Sequence, residues 1–325
     1  VIQKVRPDVL VLMEFDYDST GASLQKFNDN LLSVSQDGDD TLSYRYMYQI
    51  VSNTGQLSQV DIDGNGTVSL PADAFGFGNF SGQYASAILS NYPLDIENAR
   101  SFQKFLWKDM PDASLPQNPD GSSYYSDDAL DVFRLSSKNH IDLPVILPDG
   151  KRIHALISHP TPPVFDGAED RNGRRNHDEI KLFADYISGL DYLVDDDGQT
   201  GGMSMNTSFI VMGDLNADPL DGDSYNNAIN LLLDHPSVNQ EVAQGSLIPR
   251  SEGAAEHNQR SGDAGDPSYD TSFFGLRVDY VLPSADLNAI DSGVYWPASN
   301  QEGYDIVKDE LASDHLLVWV DISFE

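Results

Sequence analysis

Short apolar runs alternate with polar stretches along this chain, and five of the runs carry or border a polar residue of a catalytic type. Residues 9–13, 153–158, 208–212, 277–282 and 316–320 each have the length and composition of a β-strand. The polar residues in or beside them are Glu14, His159, Asp214, Asp279 and His315. One such residue at a strand end is ordinary, whereas this recurrence favours a shared site on a rigid scaffold.

Apolar residues at helical spacing predict helices after Ser23, after Asn176 and over 228–233. Strands and helices mix without a strict βαβ rhythm, and no linker divides the chain. We therefore expect one α/β domain over residues 1–325. Residues 1–6 have the pattern of the end of an amphipathic helix, so we also expect a further segment upstream of Val1.

Composition and charge narrow the function classes. The 325 residues are 40% hydrophobic and 22% charged, as in globular proteins, and no apolar run has the roughly 20 residues of a membrane span. The net charge is −33, mostly from aspartate, and such a surface repels duplex DNA and anionic membranes. The absence of cysteine excludes disulfides, thiol catalysis and thiolate metal sites.

The candidate residues suit phosphate chemistry with a hard cation. Carboxylate and amide oxygens of the kind carried by Glu14, Asp214, Asn216, Asp279 and Asp314 are preferred by Mg²⁺, Mn²⁺ and Ca²⁺. Strand alternation directs Asp214 and Asn216 to the same side. Asp279 could accept a hydrogen bond from one ring nitrogen of His315 and leave the other nitrogen for proton transfer. This combination suits phosphoester hydrolysis.

The order and spacing of five segments resemble the endonuclease/exonuclease/phosphatase superfamily, whose best-known fold is that of deoxyribonuclease I. The segments are Glu14, the strand ending at His159, 213–216, 277–280 and 313–315. The resemblance covers nearly the whole chain. It implies a four-layer α/β sandwich, in which two packed mixed β-sheets are flanked by helices, and a divalent-metal-dependent phosphoester hydrolase that uses Mg²⁺ or Mn²⁺.

The resemblance also implies roles for the matching residues. Glu14 would be the principal metal ligand, with Asp314 as an acidic neighbour near the metal. Asp214 and Asn216 would position the nucleophilic water and the phosphate. Asp279 would orient His315, the general base.

Two further points come from the resemblance. The segment 159–162 is similar to the histidine segment of pancreatic-type deoxyribonucleases, which would make His159 a second acid/base or a phosphate ligand. Family members also carry an Asn at the end of a strand that precedes the Glu strand. Nothing ahead of Glu14 supplies it, so we expect that strand upstream of Val1.

Three other side chains are candidates for binding the substrate phosphate. Arg174 and Arg175 belong to the densest basic cluster of the chain, and the segment 159–180 resembles a group of exported bacterial proteins. Bidentate phosphate binding and an ordinary solvated helix start are both open for these arginines. Tyr84 lies in a segment, 82–90, that is similar to the family strand with an active-site tyrosine; phosphate binding and simple packing are its two alternatives.

Residues 61–69 follow the pattern of a calcium-binding EF-hand loop. Asp61, Asp63, Asn65 and Thr67 occupy ligand positions, while Ala72 replaces the final glutamate and Asp73 follows it. The segment is either a structural Ca²⁺ site outside a helical hand or an Asp/Gly turn.

The leading hypothesis is a secreted, periplasmic or cell-surface phosphodiesterase or phosphatase that acts on a small or exposed phosphate ester. The alternatives are an extracellular nuclease and a non-catalytic calcium- or surface-binding module on the same fold. The substrate partners under these hypotheses are phosphate esters, including nucleotides or nucleic acid; the oligomeric state is left open.

Overall fold

The computed structural model describes residues 1–258, 262–311 and 313–323. One long helix stands among short helical turns. The α-helices are α1 (Ile2–Val5), α2 (Ala22–Phe27), α3 (Asp127–Leu130), α4 (Arg171–Ile187), α5 (Asn230–Leu233), α6 (Gln240–Ala243), α7 (Glu252–His257) and α8 (Tyr304–Val307). A π-helical turn, Asn28–Leu32, extends α2, and 3₁₀ turns cover Ile96–Asn98, Trp107–Asp109, Tyr225–Asn227 and Pro267–Tyr269.

The strands form three sheets. They are β1 (Val9–Leu12), β2 (Tyr46–Ile50), β3 (Ser86–Ser90), β4 (Arg100–Ser101), β5 (His140–Ile146), β6 (Arg152–Ser158), β7 (Phe209–Asp214), β8 (Asp279–Pro283), β9 (Asn288–Val294) and β10 (Val318–Ser323). The orders are β1-β3-β2, β10-β9 and β4-β5-β6-β7-β8. Within the third sheet β6 and β7 are parallel and the other neighbours are antiparallel, so the sheet is mixed.

The sheets pack face to face between helical layers, which confirms the predicted sandwich. Ile88 of β3 packs with Leu143 of β5 and Ile157 of β6 in the inter-sheet core. The outer face of the β4–β8 sheet buries Leu156 and Val211 against α4 and α5, where branched and aromatic side chains fill the interface. On the other side, α2 and the π-helical turn cover the outer face of the β1-β3-β2 sheet.

A groove of about 890 Å³ separates β1 from β10. β1 pairs only with β3, and β10 pairs only with β9, so each has one unpaired edge. Within the described part of the chain, no strand lies between these two edges. The floor is apolar and includes Val145, Ala155 and Ile210. The prediction of a strand upstream of Val1 stays a prediction.

Several predicted boundaries need correction. The strand expected over 316–320 is Val318–Ser323, and the helix expected over 228–233 begins at Asn230. The helix expected after Asn176 begins at Arg171, so it includes the basic cluster and Asn176 itself. The strand expected over 277–282 begins at Asp279. In residues 1–258, 262–311 and 313–323, no helix combines the length and the apolar character needed to cross a bilayer.

Candidate active site

Strand ends bring the predicted residues to one end of the sheets. Asp214 ends β7 and pairs in register with Asp279, the first residue of β8. His159 follows β6, which runs parallel to β7, so it reaches the same edge. Glu14 follows β1 at the corresponding end of the neighbouring sheet. The sequence pattern thus becomes one cleft because these strands are aligned.

Asp279 holds His315 in place. Oδ2 of Asp279 lies 2.9 Å from Nδ1 of His315 and accepts a hydrogen bond of 2.7 Å from the hydroxyl of Thr271. Nε2 of His315 points the other way and lies 3.9 Å from Oδ2 of Asp214. If Nδ1 carries the proton, Nε2 is left to exchange a proton with another group.

The carboxylates control the protonation of His315. Burial alone would lower the pKa of His315, but the carboxylates of Asp279, Asp214 and Asp314 together raise it to about 10. Burial also raises the pKa of the Asp279 carboxyl, although His315 acts in the opposite direction. In the absence of a bound cation, the His315 imidazole is therefore protonated near neutral pH.

Asp214 sits between two histidines. Its Oδ2 is 3.3 Å from Nε2 of His159, which is almost fully buried. Its Oδ1 accepts the backbone N–H of Asn216 at 2.9 Å. Burial would raise the pKa of the Asp214 carboxyl, but His159, His315 and this N–H together hold it below its usual value. Asp214 is consequently ionised and can act as an acceptor.

Glycine is required at position 213 because the backbone of β7 passes close to β6. A Cβ on Gly213 would lie 2.0 Å from the carbonyl oxygen of Ser158 and 3.1 Å from Cε of Met13. The close approach brings Asp214 beside His159, which directly follows Ser158. The glycine thereby fixes the spacing of two site residues.

Two buried side chains of α4 fix the loops that carry the site. Glu179 accepts the backbone N–H groups of Ser137 and Thr161, each at 2.6 Å. Asn176 donates to the carbonyl oxygens of Thr161 and Leu215 at 2.9 and 3.0 Å. Both residues are fully buried, so helix α4 holds the loop after His159 against the loop after Asp214. Asn216 adds a bond of 3.1 Å from its amide to the carbonyl of Pro160.

The cleft has donors that fit a divalent cation. Ligand atoms of Asp214, Asp279 and His315 lie within 4.8 Å of one another. Glu14 and Asp314 are exposed and line the same groove. Carboxylate oxygens dominate this set, as hard cations require. The acidic cluster can hold a metal ion.

Lys138 is a member of the site that the sequence did not reveal. It is 9% exposed, and its Nζ lies 3.4 Å from the carbonyl oxygen of Pro160. Burial lowers the pKa of Lys138, while the carboxylates of Glu179, Asp214 and Glu14 act in the opposite direction. The Lys138 amine therefore lies within electrostatic range of Asp214 and Glu14. The one sequence feature that could have indicated Lys138 is its position just before the apolar run that becomes β5.

The proposed phosphate contacts differ in their placement. Arg175 does not belong to the cleft: it is buried and donates to the backbone carbonyls of Leu135, Phe75 and Arg134. Arg174 is half-buried and donates to the hydroxyl of Tyr225 and the carbonyl of Glu169. The prediction for Arg175 is corrected because its guanidinium has a structural role.

Tyr84 lies in the loop before β3. It is half-buried and adopts a left-handed conformation, with its N–H donating to Asp16 at 3.0 Å. The next residue, Ala85, accepts the N–H of Phe15. The backbone segment of Tyr84 therefore lies beside the segment that carries Glu14.

The EF-hand-like loop brings three carboxylates together away from these residues. Ligand atoms of Asp61, Asp63 and Asp73 lie within 4.8 Å of one another. Asp73 is fully buried and accepts the N–H groups of Ile62 and Ser69. Asn65 and Thr67 belong to the turn, and the Thr67 N–H donates to the Asn65 side chain at 2.8 Å. This second cluster can also hold a metal ion.

The sequence as a whole matches a known family. A sequence model described as the Endonuclease/Exonuclease/phosphatase family matches residues 1–315. The chain belongs to this family. No curated protein matches the chain.

Solved structures agree with the family fold. An endonuclease/exonuclease/phosphatase from Beutenbergia cavernae DSM 12333 is similar at 14% identity and a TM-score of 0.54, over 99% of this chain and 64% of that chain. This chain therefore spans less than two thirds of that protein. The similarity supports the fold alone.

Two other structures are more distant. A 3′–5′ exonuclease from Neisseria meningitidis has 14% identity and a TM-score of 0.46, over 98% of this chain and 90% of that chain. A beta toxin variant from Staphylococcus aureus, with bound magnesium ions, has 13% identity and a TM-score of 0.44, over 98% and 84%.

Proposed function

We propose that this protein is a divalent-metal-dependent phosphoester hydrolase. The contact of Asp279 with His315, opposite the ionised Asp214, is the observation that carries the proposal. A histidine oriented at one nitrogen by a carboxylate is the arrangement that general bases use to activate water. Family membership supports the same reaction class.

In this proposal His315 is the base and Asp279 its orienter. Nε2 of His315 takes the proton of the attacking water, while Nδ1 stays bonded to Asp279. Asp214 and Asn216 position the water and the phosphate. His159, buried behind Asp214, orients that carboxylate through its contact of 3.3 Å.

Glu14 and Asp314, with Asp214, would hold the cation, for which we propose Mg²⁺ or Mn²⁺. When bound, the cation would neutralise phosphate charge and oppose protonation of His315. Its donors are all carboxylate oxygens, which favours these ions over a soft metal.

Lys138 would contribute positive charge to the phosphate side of the cleft. Its Nζ and the Asn216 amide approach the same carbonyl, that of Pro160, at 3.4 and 3.1 Å. A buried ammonium group is strongly effective towards an anion because little water screens it. Tyr84 and Arg174 remain candidates for contacts further from the reacting phosphorus.

A small or exposed phosphate ester fits the charge of the protein best. The net charge of −33 opposes long polyanions, which disfavours duplex DNA as substrate. We propose further that the protein works outside the cytoplasm, and that the loop of Asp61, Asp63 and Asp73 holds a structural Ca²⁺ ion. The proposal that the protein works outside the cytoplasm is motivated by the resemblance of residues 159–180 to exported proteins.

Hydrolysis of bis-p-nitrophenyl phosphate and p-nitrophenyl phosphate tests the reaction class. We expect turnover in Mg²⁺ or Mn²⁺, loss of turnover in EDTA, and recovery when the metal is added back. The ratio of the two rates gives the preference for diesters or monoesters. Equal rates with and without EDTA would contradict metal dependence.

A further inference from the structure

Exposed phenylalanine side chains occur at the end of the molecule that carries the cleft. In the described residues the most exposed phenylalanines are Phe165 (86%), Phe77 (63%), Phe80 (49%) and Phe274 (38%). Exposed apolar side chains that stand alone are common in proteins, but several large ones at one end mark a contact surface.

The strand directions place each of these loops. Phe77 and Phe80 precede β3, whose first residues pair with the end of β1 beside Glu14. The loop remains close to that segment, since the carbonyl of Gly82 accepts the N–H of Tyr17. These two rings therefore belong to the Glu14 side of the cleft.

The other two rings flank the histidines. Phe165 lies six residues after His159, in the loop between β6 and α4, and its carbonyl accepts a hydrogen bond from Arg171. The ring of Phe274 lies edge-on to that of His315, with 5.3 Å between the ring centres. Phe165 and Phe274 thus extend the apolar surface to the opposite side of the cleft.

The far end of the sheets differs in character. Among the described residues its exposed large apolar side chains include Ile96, Leu190 and Met205 but no phenylalanine, whereas the catalytic end exposes aliphatic side chains such as Leu220 as well as the four rings. Met205 is 91% exposed and precedes β7, at the end of the strand opposite to Asp214. Aromatic exposure is therefore a property of the catalytic end.

The charges at this end disfavour nucleic acid as the occupant. Nucleic-acid binding depends on basic side chains that reach phosphates. Arg171 here pairs with Glu169, Arg174 bonds to Tyr225, and Arg175 is buried. The acidic residues Asp166, Glu169 and Asp170 follow Phe165 closely and would repel an anionic bilayer as well.

We propose that the catalytic end docks onto an electrically neutral, zwitterionic lipid surface, with the rings of Phe77, Phe80 and Phe165 entering the headgroup region. Aromatic side chains stabilise such interfacial contacts by burying apolar area, without any need for cationic groups. The proposal rests on the proposed function in one respect: docking would present the phosphodiester of a lipid headgroup to the cleft.

Flotation with vesicles tests docking independently of hydrolysis. The protein carries His315→Ala, so the lipid stays intact, and the vesicles contain phosphatidylcholine alone or phosphatidylcholine with phosphatidylglycerol. We expect binding to the neutral vesicles and weaker binding to the anionic ones. Phe165→Asp, or Phe77→Asp together with Phe80→Asp, should lower the partition coefficient at least about tenfold. Met205→Asp adds the same charge at the far end and should leave it unchanged.

Other outcomes overturn the proposal. Failure to bind phosphatidylcholine, or an equal loss with Met205→Asp, excludes a specific lipid contact through these rings. Binding of labelled oligothymidylate that depends on Phe165, without vesicle binding, would assign the surface to single-stranded nucleic acid. The single variant Phe165→Asp, with His315 intact, should hydrolyse bis-p-nitrophenyl phosphate at the wild-type rate. A loss of docking is thereby distinguished from a loss of catalysis.

Discussion

Nδ1 of His315 lies 2.9 Å from Oδ2 of Asp279, although 36 residues separate the two in the chain. Thr271 donates its hydroxyl to the same carboxylate oxygen. The pair therefore depends on three segments that only the folded protein brings together. Its consequence is a histidine whose orientation is set by Asp279 and whose protonation depends mainly on the same carboxylate, with smaller contributions from Asp214 and Asp314.

Replacement of Asp279 should change the protonation of His315 directly. In metal-free protein we expect the pKa of His315 near 10, and Asp279→Asn should move it towards the usual value of about 6.5 because the main neighbouring charge is lost. Mg²⁺ should lower it in wild type for the same electrostatic reason. NMR titration of the His315 ring checks both shifts. An unshifted His315 in the metal-free wild type would contradict the account.

Lys138 should matter for catalysis more than its place in the sequence indicates. Lys138→Met should lower kcat/KM for bis-p-nitrophenyl phosphate by about 100-fold, since in our proposal it removes a buried cation that acts on the phosphate. Lys138→Arg, which keeps the charge, should retain part of the activity. Lys181→Met is the control, because Lys181 pairs with Asp185 on the side of α4. Equal losses in the two Met variants would assign Lys138 a structural role, provided that both variants remain folded.

The buried His140 should make stability pH-dependent. Burial lowers its pKa to about 4, and Nδ1 is satisfied by Ser136 at 2.7 Å. Between about pH 6.5 and pH 4 the unfolded chain binds a proton that the folded state does not. The contribution of His140 to the free energy of unfolding should therefore fall with decreasing pH, by about 3 kcal/mol over this range.

His140→Gln isolates this contribution in urea unfolding at several pH values. The variant lacks the titrating ring, so the difference in stability from wild type should shrink as the pH falls. Asp270 acts in the opposite sense, because burial raises its pKa to about 7 and its protonation favours the folded state. It contributes equally to both proteins and cancels in the difference. A constant difference between pH 7 and pH 4 would contradict the prediction.

Calcium should stabilise the protein through the loop of Asp61, Asp63 and Asp73. A bound ion would relieve repulsion among three carboxylates and raise Tm as its concentration rises above Kd. Asp63→Asn should reduce that shift in a thermal scan. Asp197→Asn, an exposed charge in another loop, should leave it unchanged. The same calcium effect in all three proteins would indicate a different site or general screening.

Much of the fold and the convergence of the cleft could be predicted from strand patterns. The runs ending at Met13, Ser158 and Met212 became β1, β6 and β7. The polar residues that follow these runs lie at one end of the sheets because the strands align. The packing of sheets face to face between helical layers followed from the resemblance and is confirmed. The division of one layer into β1-β3-β2 and β10-β9, with a groove between, depends on tertiary pairing that no local pattern encodes.

The misassigned and missed residues have physical explanations. Arg175 looked like a phosphate ligand because it stands in a basic cluster, but α4 begins at Arg171 and turns Arg175 into the core, over the ring of Phe133. Lys138 was missed because an isolated lysine beside an apolar run is usually solvated. Its burial depends on Glu179 and the loop at Pro160, which are distant in sequence.

In our proposal His315 activates water for phosphoester hydrolysis, and the turnover rate of His315→Ala measures that role. With bis-p-nitrophenyl phosphate and Mg²⁺ in excess, we predict that kcat falls by about 100-fold or more, because general base catalysis is lost. His235→Ala, a histidine that bonds to Ser188 away from the cleft, should retain the wild-type rate. If His315→Ala turns over like His235→Ala, His315 is not the base and the account is wrong.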